Sequence, residues 1–351
     1  MSTLVIATSA TGTPMGAQVY QEEVAARASA ALAAVAGHDW RVERIVARSL
    51  RSPLPGNRRL PMGYLAGAGP GARAAVGRLL YPRGAVVHRM NLELPPAPAA
   101  DVITLHDVVA WKFDDESPPV PAAAEEARRA AAVICVSRFS AEEAVNLLGI
   151  SEPHVVHNGV HERFFDAAPL PPAALSRLGI TGPYVLTAGG ASRRKNLEGL
   201  AVAWPKIRSS RPDLTLVLSG PEHPRRTALF KDLPGVRLVG RVADDLVPGL
   251  IAAASAVVVP SLYEGFGLPA LEGMAAGVPV VAADTSSLPE VVGDGGVLVE
   301  PTPDALAAGT LWATSGDAEV AALVARGRAR ASEFTWERSA EGHARVWASL
   351  A

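Results

Sequence analysis

Short apolar runs recur along the chain, each followed by a turn and then by a longer stretch with helical spacing. In the first half the runs are Leu4–Ala7, Val42–Val46, Val86–Val87, Val102–Leu105, Val133–Val136 and His154–Val156. In the second half they are Tyr184–Ala188, Leu214–Ser219, Val236–Val239, Ala256–Val259, Val278–Ala282 and Gly296–Val299. Uninterrupted apolar runs predict strands buried on both faces, and helical stretches between them predict a parallel sheet with crossovers. Ala-rich Val24–Ala36 and Ala122–Ala132 are expected helices, as is Thr335–Ala351, with Trp336 and Trp347 available for docking. The alternation pauses at Asp166–Pro172, DAAPLPP, where the proline density stops regular structure and suits a linker. The expected fold class is therefore α/β: two Rossmann-like, doubly wound domains, 1–165 and 166–335, facing across a cleft. Residues 336–351 are expected to form a helix crossing back to the first domain.

Composition narrows this further. At 351 residues the chain suits two domains, and with 49 % hydrophobic and 19 % charged residues it builds cores rather than disorder. No apolar run reaches the roughly 20 residues of a membrane span, and LVIAT at the start lacks the basic flank of a signal peptide. A cytoplasmic location is expected. The one cysteine, Cys135, rules out an internal disulfide and reads as a small core residue. The net charge of −2 argues against a nucleic-acid partner, yet charge is unevenly spread. Ten arginines and one acid lie between Arg41 and Arg89, whereas eight acids and one base lie between Glu93 and Glu126. The basic stretch is either a solvated face or a surface for anionic lipid or a phosphorylated acceptor.

Three segments carry candidate chemistry. The first is Tyr263-Glu264-Gly265-Phe266-Gly267-Leu268-Pro269-Ala270-Leu271-Glu272, between the run Ala256–Val259 and an expected helix Pro269–Ala276. Its glycines permit a tight turn, and backbone N–H groups at a helix start suit phosphate or sugar hydroxyls. Carboxylates at Glu264 and Glu272 can each take two hydroxyl hydrogen bonds, although a glutamate at a helix start can also serve the helix dipole alone. The second segment is Gly189-Gly190-Ala191-Ser192-Arg193-Arg194-Lys195-Asn196-Leu197, a glycine turn leading to cations at a helix start. Cations oppose the dipole there, so the arrangement favours an anionic ligand such as a leaving diphosphate. The third is Thr104-Leu105-His106-Asp107, at the end of the run Val102–Leu105. A lone histidine is more often structural, but the end of a parallel strand is where such sheets place ligands.

The spacing Glu264-x7-Glu272, within SLYEGFGLPALEGMAAGVPVVAAD and on to Ser287-Leu288-Pro289-Glu290, resembles the retaining GT-B glycosyltransferases of family 4. The resemblance implies transfer of a hexose of mannose or glucose type from a nucleotide-diphosphate sugar, such as GDP-mannose or a UDP-sugar. The acceptor would be a glycan, a lipid-linked sugar or a small molecule. It implies that Glu264 contacts the donor sugar and Glu272 the ribose, and that Phe266, Gly267 and Leu268 offer backbone N–H groups to sugar and diphosphate. Arg194 and Lys195 would hold the diphosphate beside Gly190, and His106 would lie near the reacting sugar with Asp107 orienting it or capping the next element. More loosely, Gly16 in Gly16-Ala17-Gln18 matches a close approach to the donor phosphate, and Val242 in Gly240-Arg241-Val242 matches the loop lining the base. Val136–Ser140 and His157–Val160 resemble family segments assigned to strand ends and the interdomain edge. The family implies retention by a same-face route, without a protein-bound metal or cofactor. Arg48 to Leu94, the acceptor-choosing region, matches nothing recognisable.

Two other classes fit parts of the pattern. Gly265-Phe266-Gly267-Leu268-Pro269-Ala270 satisfies G-x-G-x-x-A, with Asp284 some twenty residues on, as in a dinucleotide-dependent oxidoreductase. Pro260–Glu264, however, separates the strand from the first glycine. A non-catalytic nucleotide-sugar binding protein is the other class, and loss of the acids or cations would have favoured it.

Overall fold

The computed structural model describes residues 1–12, 16–37 and 39–351. They form two compact units, Met1–Gly159 with Thr335–Ala351, and Val160–Phe334.

The first unit is built on strands β1 Ser2–Ser9, β2 Trp40–Ser49, β3 Arg58–Leu60, β4 Val86–Arg89, β5 Ala100–Leu105, β6 Ala132–Cys135 and β7 His154–Val155. The second has β8 Tyr184–Ala188, β9 Thr215–Ser219, β10 Val236–Gly240, β11 Ala256–Val259, β12 Val280–Ala283 and β13 Val297–Val299. Both sheets are parallel, in the orders β3-β2-β1-β4-β5-β6-β7 and β10-β9-β8-β11-β12-β13. Each order reverses once, between β1 and β4 and between β8 and β11, and such reversals leave a crevice at the strands' carboxyl ends. The apolar runs become strands because both faces are covered: β4, β6, β11 and β12 are buried at every position. Each fully buried Leu, Ile, Val or Phe contributes about 1.5–3 kcal/mol.

Three expectations are corrected. Strand β3 was not foreseen, because Arg58 and Arg59 point to solvent and only Leu60 is buried. The helix expected over Ala122–Ala132 spans only Ala123–Arg129, since Ala132 already pairs with Val102 in the sheet. The chain also changes unit at Gly159–Val160, ahead of the proline-rich stretch. Those prolines lie inside the second unit: Leu170 N–H donates to Gly249 O at 3.0 Å, and Pro172 opens the helix Pro172–Arg177. A Cβ on Gly159 would stand 2.3 Å from Trp336 N, so only glycine lets the chain pass there.

The last helix, Trp336–Ala348, packs on Gly16–Ala36 within the first unit. Buried Tyr20, Val24, Ala28, Ala31 and Leu32 face buried Trp336, Ala340, His343, Ala344 and Trp347, both sets at helical spacing. A buried hydrogen-bond chain joins these helices to β4 and β5, and its polarity is determined link by link. Trp347 Nε1 donates to His88 Nδ1 at 3.2 Å, so His88 Nε2 carries the proton and donates to Thr104 Oγ1 at 2.8 Å. His343 Nδ1 donates to Ser339 O at 2.6 Å, so its Nε2 accepts from Tyr20 Oη at 2.5 Å, and Thr104 donates to Tyr20 at 2.7 Å. Both histidines are neutral in this chain. Burial lowers both, His343 to about 4 and His88 well below its ordinary value.

Candidate active site

The second sheet's reversal point gathers the loops after β8 and β11. Gly189 follows β8 with φ 138°, a conformation that L side chains rarely adopt. A Cβ at Gly190 would meet open space, so that position presents bare backbone rather than a steric need for glycine. Arg193–Lys195 form a single 3-10 turn, closed by Asn196 in the left-handed region at φ 50°. Asn196 accepts from Gly199 N–H to cap the helix Leu197–Ser210, while its Nδ2 donates to Pro260 O and Pro301 O at 3.0 and 2.9 Å. The backbone carbonyl of Arg194 accepts from Leu262 N–H at 2.7 Å. The cationic turn and the acidic loop are thereby fastened together.

The pairing of side chains follows. Lys195 Nζ lies 2.6 Å from Glu264 Oε1, Arg194 Nη1 lies 3.6 Å from Oε2, and Ser261 Oγ donates to Oε1 at 2.8 Å. Burial opposes ionisation of Glu264, but the charges of Lys195 and Arg194 and the two hydrogen bonds outweigh it and hold the carboxyl below its ordinary range. Its main chain is held as firmly: Glu264 N–H donates to Ser286 Oγ at 3.0 Å, and Ser287 Oγ donates to Glu264 O at 2.9 Å. Ser286 does so with φ 56°, a backbone state that costs about 1–2 kcal/mol outside glycine.

Gly267, at φ 103°, is the N-cap of the helix Leu268–Ala275, and a Cβ there would stand 2.7 Å from Leu288 Cδ2. Pro269 carries no N–H, so Gly267 and Leu268 supply the backbone donors at this helix end. The Phe266 ring is buried edge-on against Phe334 at 5.8 Å. Glu272 sits one turn into the helix, half-buried, and burial raises its carboxyl to about 7 against the pull of Arg163.

Arg226 escaped sequence reasoning. It is buried, yet no carboxylate of the described residues pairs with it; Nη2 donates to Gly190 O at 2.9 Å and to Gly189 O, and Nη1 to Pro221 O at 3.0 Å. Burial lowers its pKa, and its Nε has no partner. The neighbouring Arg225 pairs with exposed Glu198, and nothing in PRR tells the two arginines apart before folding. Gly189, Gly190, Lys195, Arg226 and Ser261 line one small crevice. Val242 is buried in the loop after β10, the edge strand, two strands removed from β8.

His106 and Gly16 belong to the first unit. His106 follows β5, its ring edge-on to Tyr20 at 4.7 Å, and its carbonyl accepts from Ser140 Oγ at 3.1 Å. Burial lowers it to about 4, so it is neutral at physiological pH. Asp107 Oδ1 accepts from Val109 N–H at 3.2 Å, at the start of the helix Val109–Lys112. Gly16 opens the first helix after β1.

A family model described as "Glycosyl transferases group 1" matches residues 182–315. Over 289 residues the chain is 32 % identical to O-antigen chain mannosyltransferase B of Escherichia coli, covering 74 % of this chain and 76 % of that protein. The chain belongs to the group 1 glycosyltransferases. Among solved structures, Anabaena HepE in complex with UDP-glucose matches this glycosyltransferase with a TM-score of 0.73 at 20 % identity, covering 99 % of this chain and 100 % of that one. Sucrose-phosphate synthase from Thermosynechococcus elongatus matches with 0.72 at 21 %, covering 100 % and 99 %. These likenesses give the glycosyltransferase the GT-B fold, built of two Rossmann-like parallel-sheet units. The oxidoreductase alternative falls with that assignment. No described helix is long and apolar enough to cross a membrane.

Proposed function

We propose that this chain is a retaining, metal-independent hexosyltransferase that moves a mannose- or glucose-type sugar from a nucleotide-diphosphate donor to an acceptor hydroxyl. The observation that carries the reading is the Lys195–Glu264–Ser261 cluster at the second sheet's reversal point, beside the Gly189–Gly190 backbone. On this reading, the second unit binds the donor and the first the acceptor. Lys195 and Arg194 hold the diphosphate and stabilise the charge that develops as it leaves. Glu264 is ionised and immobile; it accepts hydroxyls of the sugar and fixes its orientation rather than acting as a nucleophile. Gly267 and Leu268 N–H groups, with Phe266, face sugar and diphosphate, Glu272 takes the ribose diol, and Val242 and Gly16 approach base and phosphate. Neutral His106 stands by the reacting centre.

A peripheral role at an anionic membrane face belongs to the same proposal, in reduced form. Of the ten arginines, Arg73 and Arg89 are fully buried, while Arg41 and Arg44 pair with Glu43 and Glu22. Arg48 is half-buried and donates to Ser52 O at 2.7 Å, which leaves Arg51, Arg58, Arg59, Arg78 and Arg83 exposed, with Tyr64 and Leu79. Incubation with GDP- and UDP-hexoses and candidate acceptors, followed by NMR of the product linkage, tests the main reading. Retained anomeric configuration, unchanged by EDTA, supports it; an inverted product overturns it.

A further inference from the structure

The first unit carries a cavity whose chemistry narrows the acceptor. At the carboxyl ends of β1, β4 and β5, where the first sheet reverses, lies a hollow of about 450 Å³. That volume is within the roughly 300–1,000 Å³ of ligand pockets. Its polar and aromatic walls include Gln18, Asn91, Glu93, His106, Asp107 and Trp111. Two buried polar atoms in these walls have no hydrogen-bond partner, Asn91 Oδ1 and His106 Nε2. Asn91 Nδ2 already donates to Ser9 Oγ at 3.0 Å, so the orphaned atom is the amide's acceptor. Native interiors rarely leave such atoms unmet.

The two unmet atoms and the two carboxylates ask for donors, while Gln18 and the hydroxyls of Ser9 and Thr11 can also donate. Glu93 and Asp107 accept only, Asn91 Oδ1 accepts, and His106 Nε2 accepts or donates by tautomer. Among the described residues, no lysine or arginine lines the cavity. A hydroxyl both donates and accepts, and meets every one of these groups. An ionised phosphate accepts only and would face two carboxylates of its own sign without a cation. The charge segregation of the sequence thus works against an anionic acceptor here: Glu93 and Asp107 come from the acidic stretch, not the arginine-rich one. A tryptophan among acceptor groups suits a pyranose or cyclitol ring, one side apolar C–H and the rim hydroxyl.

We propose that this cavity takes the acceptor as a neutral polyhydroxylated ring, its hydroxyls on Asn91, His106, Glu93 and Asp107 and its apolar side toward Trp111, and that it excludes a phosphorylated ring. The proposal rests on the transferase reading above and names the substrate class of its acceptor side. Saturation-transfer NMR and tryptophan fluorescence on the full chain, in the presence and absence of GDP or UDP, test it. The probes are methyl hexopyranosides, a hexose disaccharide, free inositol, and hexose 6-phosphate and inositol phosphate. Neutral probes should bind, and the disaccharide, monosaccharide and inositol arms distinguish a glycan end from a small-molecule acceptor. Phosphorylated probes should bind at least tenfold more weakly. Trp111→Ala should weaken neutral-probe binding at least tenfold with nucleotide affinity unchanged. Glu93→Gln, at an exposed position outside the core, should narrow the preference against phosphate several-fold. Phosphorylated probes binding as tightly as neutral ones, or no neutral probe binding while nucleotide binding is intact, overturns the inference and leaves the transferase reading standing. Loss of nucleotide binding as well would remove both.

Discussion

In the first unit the buried charges close on one another. Arg73 is bidentate to Glu126 at 2.6 and 3.1 Å, and Arg89 is bidentate to Asp101 at 2.8 and 2.7 Å with a further contact to Glu126 at 3.2 Å. Their remaining donors reach the carbonyls of Leu65, Leu92, Glu93 and Leu94. Two cations meet two carboxylates, and in the chain from Trp347 to the Ser339 carbonyl every ring nitrogen of His88 and His343 has a partner. In the second unit Glu264 takes contacts from both Lys195 and Arg194, and Arg226 is buried among carbonyls with no acid of the described residues beside it. A cation kept from water without a counter-ion is costly. On the proposed reading the difference separates structure from site: a balanced cluster holds a fold together, whereas a buried arginine without an acid at a strand-end crevice would receive an anion that arrives from outside.

The comparison is sharpened most by Glu264→Ala. If the carboxylate orients the sugar, kcat should fall about 10²–10³-fold, the scale of losing a preorganised polar contact. A change of less than threefold in single-turnover rate would place Glu264 with the structural pairs instead.

Acid should break the first unit before the second. His343 and His106 have folded pKa values depressed to about 4 from an ordinary value near 6.5. For a depressed histidine the unfolded chain takes the proton first, so stability is full above about pH 6.5 and is lost as pH falls towards 4. Each should remove about 2–3 kcal/mol by pH 4.5. Protonated His343 or His88 would also meet a donor, Tyr20 O–H or Trp347 N–H, across its second nitrogen. Tyr20→Phe should cost about 1–3 kcal/mol, by leaving Thr104 and His343 without their partner. Denaturant melts against pH, with hydrogen exchange reporting each unit, check both effects; equal acid sensitivity of the two units would refute the assignment.

Glu272 offers a smaller test. With a carboxyl raised to about 7, it is mostly protonated at pH 6 and ionised at pH 8. A ribose contact that needs the carboxylate should raise the donor KM several-fold between pH 8 and pH 6, with kcat nearly unchanged by Glu272→Ala. A donor KM flat across that range in the wild type would separate Glu272 from the ribose.

How far the sequence reaches is clear from these same residues. The strands were legible because parallel strands covered on both faces leave uninterrupted Val, Ile and Leu runs. Glu264, Lys195 and Gly267 were legible because a loop acid, a helix-start cation and a turn glycine stand in short, ordered segments. Arg226 was not, since burial comes from the fold and not from its neighbours in PRR. Ser286 and Asn196 were missed for a related reason: their left-handed backbones and long-range bonds, 22 residues to Glu264 and 64 to Pro260, leave no local signature. The arginine-rich stretch misled in part because two of its members reach inward to Asp101 and Glu126, contacts that no charge count reveals.

The most direct test of the proposed anion site is calorimetric titration of UDP and GDP into the wild type and Lys195→Ala. The account predicts that at least one nucleotide binds the wild type and that the variant loses about 1.5–3 kcal/mol, roughly ten- to 150-fold in Kd. Equal affinity in the two proteins would contradict it.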